Sequence, residues 1–273
     1  MNAAATDSAA VQRIVDAIAE RQRFVISSHA RPDGDALGSE LAMAFALRQI
    51  GKQVRVVNRD PAPASLIAFP GVADVEVADH IDDPGDAAII MECGDLTRTG
   101  VEGLDRGFVI NIDHHVGNTG FGALQWFDPT AAACGEMVFD LVQALGVPMS
   151  AEIAVHIYVA ILTDTGSFHY STISPKTFDI ARQCVEAGVD APAVARSVYD
   201  SNTVGRIKLF GSALDRMEID DTGRVATLYL DDAMLRSCGA TADDSDGLVN
   251  LPLTARDIRA VILFKEDGAG RWR

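Results

Sequence analysis

Short apolar segments alternate with longer segments of helical periodicity along the first two thirds of the chain, and this alternation limits the fold more than any other feature. Each short segment is an apolar run bounded by turn residues, which is typical of a buried strand. Strands separated by helices predict βαβ units, and hence an α/β fold with a mostly parallel sheet and flanking helices. The predicted strands are 24–28, 53–58, 86–92 and 108–112, and the predicted helices are 35–51, 130–145, 150–162 and 175–188.

The pattern changes toward the carboxyl end of the chain. One long helix is predicted over 191–214, and the strands after it no longer follow βαβ order. We therefore predict a large domain over 1–190, a helical linker over 191–214 and a smaller α+β domain over 215–273. Residues 266–270 are typical of a turn and 271–273 of the first residues of a returning strand, so we expect the smaller domain to be incomplete. Its predicted elements are strands 224–230 and 258–265, a helix at 231–238 and a polar loop at 242–247.

Composition excludes several classes of function. Of the 273 residues, 48% are hydrophobic and 23% are charged, which is typical of a globular protein. The net charge of −16 makes the chain a poor binder of long nucleic acids, because lysine and arginine neutralise their phosphates. A small phosphorylated substrate held by metal ions remains compatible with this charge. The sequence shows no apolar run of about 18 residues and no secretory signal, and its four cysteines are scattered, so we expect a cytoplasmic protein with no membrane partner.

Histidines and acidic residues follow the predicted strands where each strand ends. Ligands of open α/β sheets bind at the carboxyl ends of the strands, so we expect these residues to meet at one edge of the sheet. One more acidic residue follows the predicted helix 150–162. The residues are His29, Asp33 and Asp35 after the first strand, Glu92 and Asp95 after the third, Asp113, His114 and His115 after the fourth, and Asp164 after the helix.

About four carboxylates and two or three imidazoles form a ligand set for two divalent metal ions rather than a general acid–base pair. Carboxylates crowded together would repel one another unless cations lay between them. Each segment alone also has an ordinary explanation: Asp33 and Asp35 as turn and cap residues, the adjacent histidines as surface residues, and Asp164 as a turn residue. Their convergence at one edge favours the metal site. The glycine-rich segment 117–122 lacks the lysine of a P-loop and is interpreted as a flexible loop.

The sequence resembles the DHH phosphoesterases in three motifs that occur in the order and spacing of that family. Segments 92–100 and 126–136 are most similar to its nanoRNase/pAp phosphatase group. The resemblance implies a manganese-dependent hydrolase that uses water activated by two metal ions. Its substrates would be short oligoribonucleotides and 3′-phosphoadenosine 5′-phosphate (pAp), from which it removes the 3′-phosphate. The motifs are His29-Ala-Arg-Pro-Asp33-Gly-Asp35-Ala-Leu-Gly38-Ser39, Asp113-His114-His115 and Thr163-Asp164-Thr165-Gly166.

The same resemblance implies the metal ligands. One ion would be held by His29 and Asp33. The other would be held by Asp35, His114 and Asp164.

The resemblance also assigns the remaining residues of the site. Glu92 stands where the family usually has an aspartate that bridges both ions, and Asp95 is the alternative bridge. His115 and Asp113 are the expected catalytic residues, since His115 would lie toward the substrate phosphate and Asp113 would orient its neighbours. Arg98 is a candidate phosphate contact, with an ion pair at a helix cap as the alternative.

The carboxyl end departs from the family pattern. Members carry a smaller DHHA1 domain that ends in a GGGH segment gripping the substrate, and residues from Met217 resemble the start of that domain. The GGGH segment does not occur in this sequence, so we expect a C-terminally truncated, incomplete DHHA1-like domain. Loss of such remote contacts predicts weak substrate binding and poor discrimination.

Three alternative functions stay open. The first is hydrolysis of cyclic or linear dinucleotides by an enzyme of the same family. The second, a manganese pyrophosphatase, is disfavoured because segment 92–100 resembles the nucleotide-cleaving group. The third is a non-catalytic nucleotide-binding relative that lacks the clamp. The family suggests a homodimer.

Overall fold

The structure is a computed structural model that describes residues 8–267 and 271–272. The chain divides into a first unit that ends at Asp200 and a second unit that begins at Ser201. The elements of the first unit are α1 (Ser8–Ala19), β1 (Arg23–Ser27), α2 (Gly34–Gln49), β2 (Gln53–Asn58), β3 (Glu76–Val77), β4 (Ala87–Met91), β5 (Phe108–Asp113), β6 (Leu124–Phe127), α3 (Cys134–Ala144), α4 (Ala151–Asp164), α5 (Pro175–Glu186) and α6 (Ala191–Tyr199).

The sheet of the first unit is parallel throughout. Within the described residues its six strands lie in the order β3-β2-β1-β4-β5-β6. This confirms the predicted α/β class with its parallel sheet and flanking helices. β1 and β4 lie side by side, and from them the sheet extends outward in opposite directions. Open α/β sheets bind ligands at this kind of switch in strand order.

The two faces of the sheet are covered differently. Phe24 and Ile26 of β1 belong to the large core formed with residues of α1 to α5, whereas Val25 belongs to a smaller core on the opposite face. Short 3₁₀ turns at Leu96–Thr99 and Leu104–Arg106 contribute to that smaller core. Because β1, β4 and β5 are buried almost throughout, the polar side chains of this region gather beyond the strand ends.

Two glycines let α2 and α4 approach closely. A Cβ atom at Gly38 would lie 2.6 Å from the carbonyl oxygen of His156, and one at Gly34 would lie 2.5 Å from the side chain of Thr163. Any larger residue at these positions would push the helices apart. The close packing places the amino end of α2 beside the carboxyl end of α4, and both ends carry predicted metal ligands.

The second unit contains a smaller sheet. Its elements are α7 (Val204–Asp215), β7 (Glu218–Ile219), β8 (Val225–Leu230), α8 (Asp232–Cys238) and β9 (Ala260–Lys265). β8 pairs antiparallel with β7 and parallel with β9. Alternate residues of β8, such as Leu228 and Leu230, pack with Leu209 and Met234 in a small core of this unit. The strand alternation over 224–230 therefore marks a sheet that is buried on one face.

Several elements differ from the sequence-based predictions. The helix predicted over 191–214 is two helices, α6 and α7, because the chain leaves the helical path after Tyr199 and Thr203 caps α7 by accepting a hydrogen bond from the backbone N–H of Arg206. The helix predicted over 130–145 begins only at Cys134. α1, the edge strands β3 and β6 and the short strand β7 were not predicted.

The carboxyl-terminal turn lies partly in the described residues. Glu266 and Trp272 form an isolated antiparallel bridge, which is the pairing that a returning strand would make. Residues 268–270 and 273, on which the predicted turn and strand also depend, lie outside the described residues. Across the part of the chain that the structure describes, no helix is long and apolar enough to span a membrane.

Candidate metal centre

The loop after β1 brings His29 and Asp33 together. Asp33 is the N-cap of α2, and its Oδ1 accepts a hydrogen bond from the backbone N–H of Ala36 at 3.0 Å. Its Oδ2 lies 3.9 Å from Nε2 of His29. Nδ1 of His29 lies 3.0 Å from the carbonyl oxygen of Ala30, so Nδ1 carries the proton and Nε2 is free to bind a metal ion when the ring is neutral. The cap and ligand interpretations of Asp33 are therefore compatible.

Asp35 is buried and accepts three hydrogen bonds. Its Oδ1 accepts from Oγ of Ser39 at 2.9 Å and from the backbone N–H of Gly135 at 3.0 Å. Its Oδ2 accepts from the backbone N–H of Cys134 at 2.7 Å. Cys134 and Gly135 are the first residues of α3, whose unpaired N–H groups favour a negative charge. Backbone groups 99 and 100 positions further along the chain thus fix the carboxylate of Asp35.

Glu92 follows β4 in an unusual backbone conformation. Its φ angle of +56° lies in the left-handed region, which residues other than glycine rarely adopt and which is found disproportionately at functional sites. Oε1 lies 3.2 Å from Nε2 of His114, and Oε2 lies 3.7 Å from Nδ1 of His115. Oε1 is buried and has no hydrogen-bond partner among the described residues. A buried carboxylate oxygen in that position can bind a cation.

His114 lies at the centre of the acidic cluster. Its Nδ1 is 3.0 Å from the carbonyl oxygen of Ala131 and donates to it. Its Nε2 therefore points toward the carboxylates, at 3.2 Å from Glu92, 3.5 Å from Asp164 and 3.8 Å from Asp35. A backbone acceptor that fixes the ring in this way is the usual arrangement around a metal-binding histidine.

A polar network beneath His115 was not predicted from the sequence. Nδ1 of His115 lies 2.9 Å from Oδ1 of the buried Asp113. The other oxygen of Asp113 accepts a hydrogen bond of 2.6 Å from Nδ2 of Asn118, which also donates to Oδ1 of Asn111 at 2.8 Å. Asn111 in turn donates to the carbonyl oxygen of Cys93. Asn118 lies in segment 117–122, so this part of the predicted flexible loop is bonded to the site.

Asp164 is the last residue of α4 and is followed by a strained turn. Ser167 and Phe168 both have left-handed backbone angles, φ +61° and +62°, which cost about 1 kcal/mol each for residues other than glycine. Oγ1 of Thr165 accepts a hydrogen bond from the backbone N–H of Phe168, and the Phe168 ring stacks on Phe178 at 5.3 Å. These contacts hold the chain directly after Asp164 in one conformation.

The crowded carboxylates perturb one another. Burial, together with the charges of Glu92 and Asp164, raises the pKa of Asp35 well above its usual range. Burial also raises the pKa of Asp164 to about 6, with His114 opposing the shift. Burial would lower the pKa of His114, but the nearby Glu92 and Asp35 outweigh it and raise that pKa to about 10. A site this rich in negative charge favours cations.

The buried Asp113 behaves differently. Burial works to raise its pKa, but the hydrogen bonds from His115 and Asn118 outweigh that effect and hold the pKa below its usual value. Asp113 is therefore ionised at neutral pH and accepts from Nδ1–H of His115. The same hydrogen bond raises the pKa of His115.

Two overlapping groups of donor atoms have the composition of divalent metal sites. Within each group the donor atoms lie within 4.8 Å of one another, and His114 belongs to both. Across the described residues no lysine or arginine forms an ion pair with these carboxylates. Carboxylate oxygens and imidazole nitrogens without a cationic partner fit divalent ions of the Mn, Fe, Co, Ni and Zn series. The groups are Glu92 with His114 and His115, and Asp35 with His114 and Asp164.

Five predicted site residues belong to neither of these groups: His29, Asp33, Asp95, Arg98 and Asp113. Asp95 caps the short turn after Glu92, where its Oδ1 accepts hydrogen bonds from the backbone N–H and Oγ1 of Thr97. Geometry therefore favours Glu92 over Asp95 as a bridging ligand. Arg98 is exposed on the same turn, and its carbonyl oxygen accepts a hydrogen bond from the backbone N–H of Ala30.

The fold and the site together define an α/β protein with a carboxylate–imidazole cluster, suited to divalent metal ions, at the carboxyl edge of a parallel sheet. Comparison with known proteins gives the family. Residues 23–161 match the DHH family, N-terminal domain. The chain belongs to the DHH family of phosphoesterases.

Individual relatives extend the similarity over most of the chain. A bifunctional oligoribonuclease and PAP phosphatase of Thermus thermophilus is 34% identical over 229 residues, which are 83% of this chain and 67% of that protein. A probable bifunctional oligoribonuclease and PAP phosphatase of Streptococcus mutans is 27% identical over 97% of this chain and 84% of that protein. The crystal structure of an exopolyphosphatase-related protein from Bacteroides fragilis superposes with a TM-score of 0.90 and 25% identity, over 97% of this chain and 82% of that one.

Proposed function

We propose that this chain hydrolyses phosphate esters of short oligoribonucleotides and of pAp with the help of two divalent metal ions. The observation that carries the proposal is the convergence of Asp35, Glu92 and Asp164 on Nε2 of His114 at the switch in strand order of the sheet. The names of the Thermus and Streptococcus relatives support the substrate classes.

The ligands divide between two ions in this proposal. His29 and Asp33 would hold one ion, Asp35, His114 and Asp164 would hold the other, and Glu92 would serve as a ligand to both. Manganese is the proposed metal because the resemblance to the DHH phosphoesterases implies it, and it is among the divalent ions that carboxylate and imidazole ligands suit. When bound, two such ions activate a water molecule and neutralise charge on the phosphate oxygens.

The residues of this chain have two roles in the proposed reaction: they hold the site in a fixed arrangement, and one of them donates a proton. Asp35 is locked by three hydrogen bonds and Asp113 by Asn118, so neither carboxylate needs to rearrange when a ligand arrives. With Asp113 ionised, Nδ1 of His115 must donate to it. The proton on Nε2 of a charged His115 is then available to a phosphate oxygen of the substrate, which we assign as the role of His115.

The charge of the chain favours small substrates. A net charge of −16 repels a long polyanion, whereas one or a few phosphates can be held by the metal ions and by Arg98. The proposed homodimer and the cytoplasmic location stay predictions.

The test is a hydrolysis assay of the purified chain with Mn²⁺. Oligoribonucleotides of about two to five residues and pAp are the expected substrates, and pGpG and cyclic di-AMP are offered in parallel to test the dinucleotide alternatives. His115→Ala should lose most of the activity, and Gln49→Ala, an exposed substitution on α2, should not. Nucleotide binding without turnover of any substrate would contradict the proposal and favour a non-catalytic nucleotide-binding protein.

A further inference from the structure

Three arginines lie on adjoining segments that follow the strands beside the candidate metal centre. The backbone N–H of Ala30 donates a 2.7 Å hydrogen bond to the carbonyl oxygen of Arg98, so the loop after β1 lies against the turn after β4. Arg31 follows Ala30 directly. Arg59 follows β2, and its side-chain stem lies against Gly100, where an added Cβ would be 3.0 Å from Cγ of Arg59. The three segments belong to neighbouring strands, in the order β2, β1, β4.

Arg31 is held in a specific and strained conformation. Its φ angle is +56°, in the left-handed region. The side-chain Oδ2 of Asp60 accepts a hydrogen bond of 2.8 Å from the backbone N–H of Arg31. Oδ2 of Asp60 is therefore bonded to the backbone of Arg31 and not to its guanidinium group. Strain of this kind persists where the surrounding structure fixes it, and it is concentrated at binding sites.

The guanidinium groups are free for an external anion. Arg31, Arg59 and Arg98 are exposed, and in the described part of the chain none of them forms an ion pair with a carboxylate. Arg98 lies in the short turn Leu96–Thr99 that follows Glu92 in the chain.

We propose that Arg31, Arg59 and Arg98 form an anion subsite that binds a second phosphate group of the substrate while the phosphate to be cleaved lies at the metal centre. The inference rests on the proposed function and narrows its substrate class to nucleotides that carry at least two phosphates. Guanidinium groups bind phosphate oxygens through paired, charge-assisted hydrogen bonds. Three of them supply positive charge close to a cluster of carboxylates.

The test compares substrates that differ by one phosphate. pAp carries a 5′-phosphate in addition to the 3′-phosphate that is removed, whereas adenosine 3′-monophosphate carries only the latter. We expect the native chain with Mn²⁺ to have a higher kcat/KM for pAp. In Arg59→Met and Arg98→Met, which keep the apolar stem and remove the charge, the ratio of the two kcat/KM values should fall about tenfold, since each loses a charge-assisted hydrogen bond. Arg59→Lys should recover part of the loss.

A matched variant and a binding measurement separate the possible outcomes. Arg13→Met removes the same charge from α1, where Arg13 is exposed, and should leave the ratio unchanged. Binding of pAp and of adenosine 3′-monophosphate is also titrated in EDTA, where the subsite alone should favour pAp. Equal affinities in that titration, or a ratio unchanged in Arg59→Met, would overturn the subsite. If the chain bound pAp more tightly than adenosine 3′-monophosphate but hydrolysed neither, the result would contradict the proposed function and still support the subsite.

Discussion

The candidate metal centre has a buried half and an open half, and the two are held in different ways. The buried half consists of Asp35, Glu92 and Asp113, whose side chains are at most 2% exposed. The open half consists of Asp33, His115 and Asp164, whose side chains are 61%, 41% and 34% exposed. The open half is in contact with solvent.

The difference indicates how the work of the site is divided. Asp35 and Asp113 accept hydrogen bonds from residues of α3 and from Asn118, so their positions are set by the fold before any ligand binds. Asp33 is held through one oxygen only, by the cap of α2. Preorganised groups need no rearrangement during a reaction. We therefore expect substitutions in the buried half to affect stability and activity together, and substitutions in the open half to affect mainly activity.

Removal of divalent ions should have the largest effect. The three carboxylates of the cluster around His114 repel one another without cations between them, so EDTA should abolish hydrolysis and lower Tm, and added Mn²⁺ should restore both. Differential scanning calorimetry with and without Mn²⁺ measures the shift. Asp35→Asn provides the control, since its Tm should respond much less to Mn²⁺. An equal response in both proteins would place the ions elsewhere.

Asp35→Ala should destabilise the chain far more than Asp33→Ala. The first substitution leaves the backbone N–H groups of Cys134 and Gly135 buried without an acceptor, at about 1–3 kcal/mol for each. The second removes one helix cap, which costs about 0.5–2 kcal/mol. Urea denaturation in EDTA measures both without a metal contribution. Equal losses would show that the two halves of the site are not held differently.

Asn118→Ala should lower activity with a smaller effect on stability. Without the 2.6 Å hydrogen bond from Asn118, Asp113 can turn away from His115, and kcat should fall by about tenfold while the apparent affinity for Mn²⁺ changes little. Steady-state kinetics over a range of Mn²⁺ concentrations separates the two effects. Gln49→Ala serves as the control. If the substitution lowered the affinity for Mn²⁺ and left kcat unchanged, Asn118 would support the metal ligands rather than the position of His115.

Much of the candidate metal centre can be predicted from the sequence, because the ends of the buried strands can be located there. In a parallel sheet buried on both faces, charged residues are excluded from the strands and accumulate just after them. Glu92 and Asp113 are found in that way. The packing of α2 on α4 through Gly38 could not be predicted, because it depends on which helices meet. The fold class, by contrast, follows from the alternation of strands and helices alone.

Asn118 and the arginine cluster show where sequence reasoning stops. Asn118 lies among glycines, a composition typical of a loop, and only its contacts with Asp113 and Asn111 reveal its position. Arg59 follows a strand that carries no predicted ligand, so nothing local connects it with Arg98. The division of one predicted helix into α6 and α7 was missed although the polar segment 200–203 lies at the break and ends in Thr203, the cap of α7.

Glu40→Gln should change the pH dependence of stability and have the smallest effect on activity. Glu40 is buried on α2 behind the metal centre, where its Oε2 accepts a hydrogen bond of 2.8 Å from Asn58. Burial raises its pKa from 4.5 to about 8, with the Asn58 hydrogen bond opposing the shift. Unlike Asp35, this carboxyl group lies outside both donor groups, so the folded protein keeps it neutral at pH 7.

The sign of the effect follows from the protons that each state binds. Between pH 4.5 and about 8 the folded chain retains a proton on Glu40 that the unfolded chain has lost. The contribution of Glu40 to the unfolding free energy is therefore complete below pH 4.5 and falls as the pH rises, by up to about 1.4 kcal/mol per pH unit. The Gln variant keeps an acceptor for Asn58 and has no proton to lose. Urea denaturation across this range should show the variant gaining on the native chain as the pH rises, and Glu20→Gln, at an exposed position, should show no such gain. Parallel curves for Glu40→Gln and the native chain would mean that Glu40 is ionised in the folded protein, which would add a fourth buried charge beside the metal centre.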